Sequence, residues 1–213
     1  MSELVLAPAR HGRFPGHLAP EAIAAYAAAT GDTTTAVRTS RAGTQIVVQF
    51  EQIGADGAIA VEQWWTMVLL GLYGVAGLGT MPADHRFPED ARARPLGSVG
   101  QHVDKDVAHR YAEVSGDWAA HHFDIEAARA AGFEFVFTHG LCTMAICTHL
   151  LLGLLGVDDP AIVRRVAVRF ASPTPLDSEL TVNAFGVTED SFAFEAAVNG
   201  MATITHGRLE LRC

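Results

Sequence analysis

Asp117 and His122 stand five residues apart, and the chain returns to histidine and glycine at His139 and Gly140. A carboxylate and an imidazole held on one water molecule form an acid/base pair that works near neutral pH, each shifted by burial and by the other. On an ideal helix the two side chains would point about 140° apart, so they converge only across a loop. Gly140 precedes a long apolar run. If that run is a helix, the Gly140 amide opens it, and unpaired N–H donors and the helix dipole face any developing oxyanion.

The elements that must position these residues show an internal repeat. Tyr111-Ala-Glu-Val-Ser-Gly116-Asp117 repeats the pattern of Tyr26-Ala-Ala-Ala-Thr-Gly31-Asp32. In both copies a helical run, over 20–30 and 103–115, ends at glycine, the residue best able to leave a helix through a left-handed conformation. The aspartate therefore falls in a loop. Tyr26 and Tyr111 are placed to pack each helix on the core beneath it, and repetition of a helix end with its anchor implies a duplicated unit. From Asp32 to Leu70 is 38 residues and from Asp117 to Leu211 is 94, so the first copy is shortened. It also carries Val37 at the position equivalent to His122. The chemistry belongs to the second half.

With 213 residues, 49% of them apolar, the chain suits one large domain or two small ones with a sizeable core. The three cysteines, Cys142, Cys147 and Cys213, fit no zinc signature and read as reduced thiols; no metal ligand set is evident. The opening residues lack a basic start followed by a sustained apolar core, so no secretory signal is expected and the chain is assigned to the cytoplasm. A net charge of -9 and the lack of a basic stripe argue against nucleic acid as a partner. Residues 64–81 form an uncharged run of membrane-span length. Four glycines, the alternating residues Ile59, Val61 and Gln63 before it, and the lack of a flanking basic cluster make it a buried strand entering a glycine-rich loop.

Residues 82–95, charged and interrupted by Pro82, Pro88 and Pro95, read as the connection between halves, with the boundary near residue 97. Asp124 is a good N-cap for a short helix over 125–131 that ends at Gly132. Residues 141–155 form a helix apolar almost all round, which predicts full burial, with His149 as a satisfied core histidine. Four strands follow over 163–170, 179–187, 191–199 and 201–211, with turns at Pro173-Thr-Pro175, Glu189-Asp190 and Asn199-Gly200. In the first half, strands over 45–52 and 58–70 flank a turn at Asp56-Gly57, with no central helix evident. A buried helix followed by strands able to wrap it is an α+β arrangement.

These residues carry a resemblance. The order Tyr111-Ala112, Ser115-Gly116-Asp117, His122, Asp124, Gly132-Phe133 and His139-Gly140 resembles the motif of the MaoC-like dehydratases and (R)-specific enoyl-CoA hydratases over roughly residues 100–212. The whole chain is similar to the two-domain members. The resemblance implies a double hot-dog fold, antiparallel sheets wrapped on a central helix, with 1–96 a shortened first copy lacking most of that helix and 97–213 carrying the active site. It implies addition of water to a trans-2-enoyl thioester, or its removal from a 3-hydroxyacyl thioester, on a long or bulky acyl chain. Asp117 and His122 then divide the proton transfers and the Gly140 amide meets the enolate-like oxygen. Ser115, His139, Arg164 and Arg169 are the substrate-binding candidates.

Coenzyme A enters as part of the substrate and no other cofactor is implied. A homodimer is expected, or a hetero-oligomer with another hot-dog chain. The chain departs from the family in carrying Ala119-Ala120 where Asn-Pro is usual, and Trp118 beside them is placed to fill the volume. Two other readings stay open: an acyl-CoA thioesterase on the same fold, and a non-catalytic acyl-binding or partner subunit. His139 suits a structural role in the turn before Gly140 as well as a binding one. Arg164, Arg165 and Arg169, alternating on a strand, can meet the phosphates of coenzyme A or simply guard an edge.

Overall fold

The computed structural model describes residues 34–212, except 55, 72, 74–76, 78, 80, 81, 83 and 84. The helical run expected over 20–30, with Tyr26, Gly31 and Asp32, lies outside the described residues, as does Cys213. The chain divides into two compact units, Met1–Ala83 and Asp84–Cys213.

In the first unit, β1 (Thr34–Thr39), β2 (Gly43–Ile53) and β3 (Ile59–Leu70) form an antiparallel sheet in that order. Gly57, at φ +80°, turns the chain from β2 into β3 as the Asp56-Gly57 pair predicts. Val47 and Val48 of the middle strand and Val37 of β1 are buried. The uncharged run does enter as a strand, but it is not buried: Trp65 is 44% exposed, and Met67 and Val68 are exposed as well. β3 is the outer strand of this sheet, so only one edge of it is paired among the described residues. No helix among the described residues is long and apolar enough to cross a membrane.

The second unit begins with β4 (Pro95–Val103), followed by α1 (Val107–Ser115), α2 (Ile125–Ala130), β5 (Phe137–Thr138) and α3 (Gly140–Leu154). Then come β6 (Val163–Phe170), β7 (Thr174–Pro175), β8 (Ser178–Gly186), β9 (Ser191–Val198) and β10 (Met201–Leu211). Five strands make one antiparallel sheet in the order β4-β8-β9-β10-β6, and β5 pairs with β7 as a separate ribbon. All four strands expected after residue 163 are present. Asn199 (φ +50°) and Gly200 (φ +80°) supply the two left-handed residues that a two-residue hairpin requires.

The core forms where α3 lies on this sheet: Cys147, Leu151 and Leu152 of the helix meet Leu180, Val182, Phe194 and Ile204 of the strands. Cys142 and Cys147 are free and buried, and burial pushes the Cys147 thiol up to about 12, leaving it protonated at neutral pH.

Two expectations are corrected here. The second compact unit begins at Asp84, and residues 95–103, where the boundary near 97 and the start of a helical run are expected, are strand β4, paired along its length with β8. Its two glycines weaken the strand pattern in the sequence, yet a Cβ at Gly97 would meet Leu154 of α3 at 3.2 Å. The glycine lets the edge strand close on the helix, and α1 consequently starts at Val107, not at residue 103. The second correction concerns α3, which is not buried all round. Leu141, Ala145, His149 and Gly153, spaced by four residues, are exposed, so His149 is not a core histidine. Uniform apolarity carries no information about which face the sheet will cover.

Gly207 sits in the irregular part of β10, where a Cβ would lie 2.6 Å from both the ring and the carbonyl oxygen of the fully buried Phe194. Gly207→Ala is expected to lower unfolding stability by about 1–3 kcal/mol through overpacking. Urea melts read this directly, and a midpoint equal to the wild type would refute so close a contact.

Candidate active site

The loop after α1 is shaped by short-range bonds. Gly116, at φ +76°, ends the helix and donates its N–H to Ala112 O at 2.9 Å. Asp117 N–H donates to Ser115 Oγ at 3.2 Å, and Asp117 Oδ1 accepts from Ala119 N–H at 3.2 Å. A single 3-10 turn, Ala120–His122, then brings the histidine back toward the aspartate. The corner therefore closes although Ala119-Ala120 supply no side-chain hydrogen bond. Asp124 caps α2 by accepting from Glu126 N–H and Ala127 N–H at 2.7 and 3.0 Å, as expected.

His122 is 6% exposed and its Nδ1–H donates to Phe137 O at 2.9 Å, which leaves Nε2 with the lone pair. Burial, assisted by the neighbouring His139 and His121, lowers its pKa to about 4 and keeps the ring neutral at physiological pH. The ring of His139, 2% exposed, lies against it at a centroid distance of 3.8 Å with the planes tilted by 31°. His139 Nε2–H donates to Asp117 O at 2.9 Å, so this histidine pins the aspartate backbone. Tyr111 stands 4.8 Å from the His139 ring, joining α1 to this cluster; burial raises its phenol. The Asp117 side chain is 54% exposed.

Ligating atoms of Asp117, His122 and His139 lie within 4.8 Å of one another. One metal ion on all three fits poorly. An imidazole binds a cation in its own plane, whereas an ion midway between two rings stacked at 3.8 Å would lie outside both planes. The arrangement suits a water and its protons better.

His122 and Gly140 line a common cavity of about 400 Å³, with His121, Phe133, Phe137 and Phe170 on its walls. Asp117 is not a wall of it and approaches from the solvent side of the cluster. Gly140 opens α3, so its amide has no carbonyl one turn behind it within the helix. A Cβ there would meet the Phe170 ring at 3.3 Å, which keeps the position small.

The structure thus brings Asp117, His122, His139 and Gly140 together, with Ser115 in the adjoining turn and Arg164 and Arg169 away from the cavity. Ser115 Oγ is engaged in the turn at Asp117. Arg164 and Arg165 pair with Glu210 at 2.8 and 3.4 Å, cross-strand contacts on edge strand β6, and neither Arg164 nor Arg169 lines the cavity. Trp118 stays 55% exposed and packs on Phe123 rather than filling the loop. Two further residues take part: His121, which the sequence offers as a register alternative to His122, and Phe137, which sequence reasoning missed. His121 lines the cavity with its ring stacked on Phe137 at 5.5 Å, and Phe137 sets the His122 tautomer through a backbone carbonyl, a signal no side-chain pattern carries.

With this geometry in hand, comparison with known proteins is informative. The sequence profile of the MaoC like domain matches residues 87–206. The peroxisomal multifunctional enzyme type 2 of Drosophila melanogaster is 29% identical over 139 residues, 62% of this chain and 22% of that protein. Its full-length structure superposes with a TM-score of 0.70 at 25% identity, over 84% of this chain and 32% of that one. The mitochondrial 3-hydroxyacyl-[acyl-carrier-protein] dehydratase of Arabidopsis thaliana is 35% identical over 71 residues, 33% of this chain and 40% of that protein. The crystal structure of a MaoC-like dehydratase from Phytophthora capsici shares the fold at a TM-score of 0.75 and 23% identity, over 84% of this chain and 60% of that one. The chain spans about a fifth of the Drosophila protein's length. A long helix on an antiparallel sheet is here the hot-dog fold, of the α+β class, and the chain belongs to the MaoC-like dehydratase domain family.

Proposed function

We propose that this chain hydrates trans-2-enoyl thioesters, or dehydrates the corresponding 3-hydroxyacyl thioesters, with Asp117 and His122 as the acid/base pair. The observation that carries this reading is the convergence of the Asp117 carboxylate with a His122 ring nitrogen, beside a cavity that begins at the Gly140 amide.

In this reading the acyl chain lies among Phe133, Phe137 and Phe170 and one water sits between Asp117 and the His122 Nε2 lone pair. The water oxygen adds to the β-carbon, the pair takes a proton from that water, and a proton is delivered to the α-carbon. One water supplies both the hydroxyl and the hydrogen, so nothing else is consumed. Charge that develops on the thioester oxygen meets the Gly140 N–H and the positive end of the α3 dipole. His139 positions Asp117 through its carbonyl, and the Phe137 carbonyl holds His122 in the tautomer that accepts at Nε2.

The aromatic walls favour a bulky or long acyl chain. Incubation with trans-2-enoyl-CoAs of increasing bulk is expected to remove the conjugated-enone absorbance while releasing no free thiol from saturated acyl-CoAs. Thiol release without enoyl consumption would instead establish the thioesterase reading, and no reaction with any member would refute the hydratase.

A further inference from the structure

The wall of the cavity carries four hydroxyl groups that the proposed reaction does not use, those of Thr138, Thr143, Ser172 and Thr174, and two of them face each other across a strand pair. Thr138 of β5 and Thr174 of β7 both line it and are direct cross-strand partners, 1% and 2% exposed. Directly opposed residues on antiparallel strands project their side chains to one side within reach of each other. The Thr138 hydroxyl is fully buried without a nitrogen or oxygen partner, its polar contact being the Cys142 thiol. Thr143 on the same cavity differs, because its hydroxyl donates to His139 O at 3.3 Å. The Cys142 thiol is pushed up by burial and lowered in part by its hydrogen bond with Thr138, and thiol sulfur is a weak partner. Buried hydroxyls are ordinarily well satisfied, so one that meets only a thiol beside a cavity points to a better partner that arrives with the ligand.

We infer that the Thr138–Thr174 pair is a subsite for an oxygen atom on the acyl chain, a hydroxyl or a carbonyl beyond the reacting carbons. The preferred substrates are then oxygenated acyl thioesters rather than plain hydrocarbon ones. This rests on the reading of the cavity as an acyl-thioester site. The Thr138 oxygen is covered by its surroundings in this structure, and a step of χ1 to another staggered well re-aims it. Phe133, Phe137 and Phe170 stand around the pair, and an oxygen placed against their rings would lose its water without replacement.

The test is calorimetric binding to the full chain of saturated acyl-CoAs of one length, either unsubstituted or bearing a single hydroxyl or keto oxygen at successive carbons beyond the third. These ligands cannot be hydrated, so affinity is read apart from turnover. At least one oxygenated member is expected to bind roughly tenfold tighter than the plain one. Thr138→Val and Thr174→Val, of nearly unchanged volume, should each abolish that preference without weakening the plain ligand, whereas Thr138→Ser and Thr174→Ser should keep it. Equal affinity across the series, as a buried water on Thr138 would produce, overturns the proposal, and so does a preference that survives both valine variants. Failure of every thioester to bind overturns the subsite and the acyl reading together. Binding with the predicted preference but no hydration of any enoyl-CoA would leave the subsite standing and remove the hydratase.

Discussion

Asp117→Asn is expected to lower kcat/KM for enoyl-CoA hydration by roughly 10²–10⁴-fold, the range over which general acid–base groups contribute. The substitution isolates the proton. An asparagine carbonyl can still accept the Ala119 N–H that closes the loop, and a side chain 54% exposed leaves no buried charge or cavity behind. The backbone bond from His139 to the residue 117 carbonyl is untouched. Thermal midpoint and acyl-CoA affinity should therefore match the wild type while the enone absorbance persists. A variant that hydrates at near wild-type rate would remove Asp117 from the chemistry. His122→Ala is expected to show a loss of the same order, with fold integrity checked by circular dichroism because that side chain is buried.

The second large effect is on stability against pH. His122 is held at about 4 in the folded chain, chiefly by burial, against an unfolded value near 6.5. Between those values the unfolded chain binds a proton that the folded chain refuses. Stability from this group is therefore fully present above 6.5, is lost as pH falls from 6.5 toward 4, and changes no further below that. The loss amounts to about 3 kcal/mol. Urea unfolding at stepped pH compares the wild type with His122→Gln, which does not titrate, and the two curves should diverge across this window. Parallel curves would show that the ring protonates without hindrance. The same cause places the acid limb that His122 contributes to kcat/KM near pH 4 rather than 6.5, provided the neutral ring is the reactive form.

What the sequence by itself determined is local. The exit of α1 at Gly116, the Asp124 cap on α2 and the Asn199-Gly200 hairpin rest on hydrogen bonds or backbone angles spanning only a few residues, so residue type and order decide them. The strands after 163 follow equally from alternation, and the motif order named the aspartate and the histidine that the fold brings together and the glycine that opens α3.

Only the tertiary structure decided the rest. β4 is a strand because β8 pairs with it and because Gly97 lets it close on Leu154; its own two-glycine sequence argues weakly for any element. The exposed stripe on α3 depends on where the sheet ends, which an evenly apolar helix does not encode. The tautomer of His122 comes from a carbonyl fifteen residues away, and its lowered pKa comes first from burial and then from His139 and His121 beside it, against that carbonyl, which raises it. That Arg164, a phosphate-binding candidate in the chain, pairs with Glu210 depends on the strand that lies across from it. Burial and charge neighbours are set by residues distant in sequence, and those two quantities turn an aspartate and a histidine in register into a site.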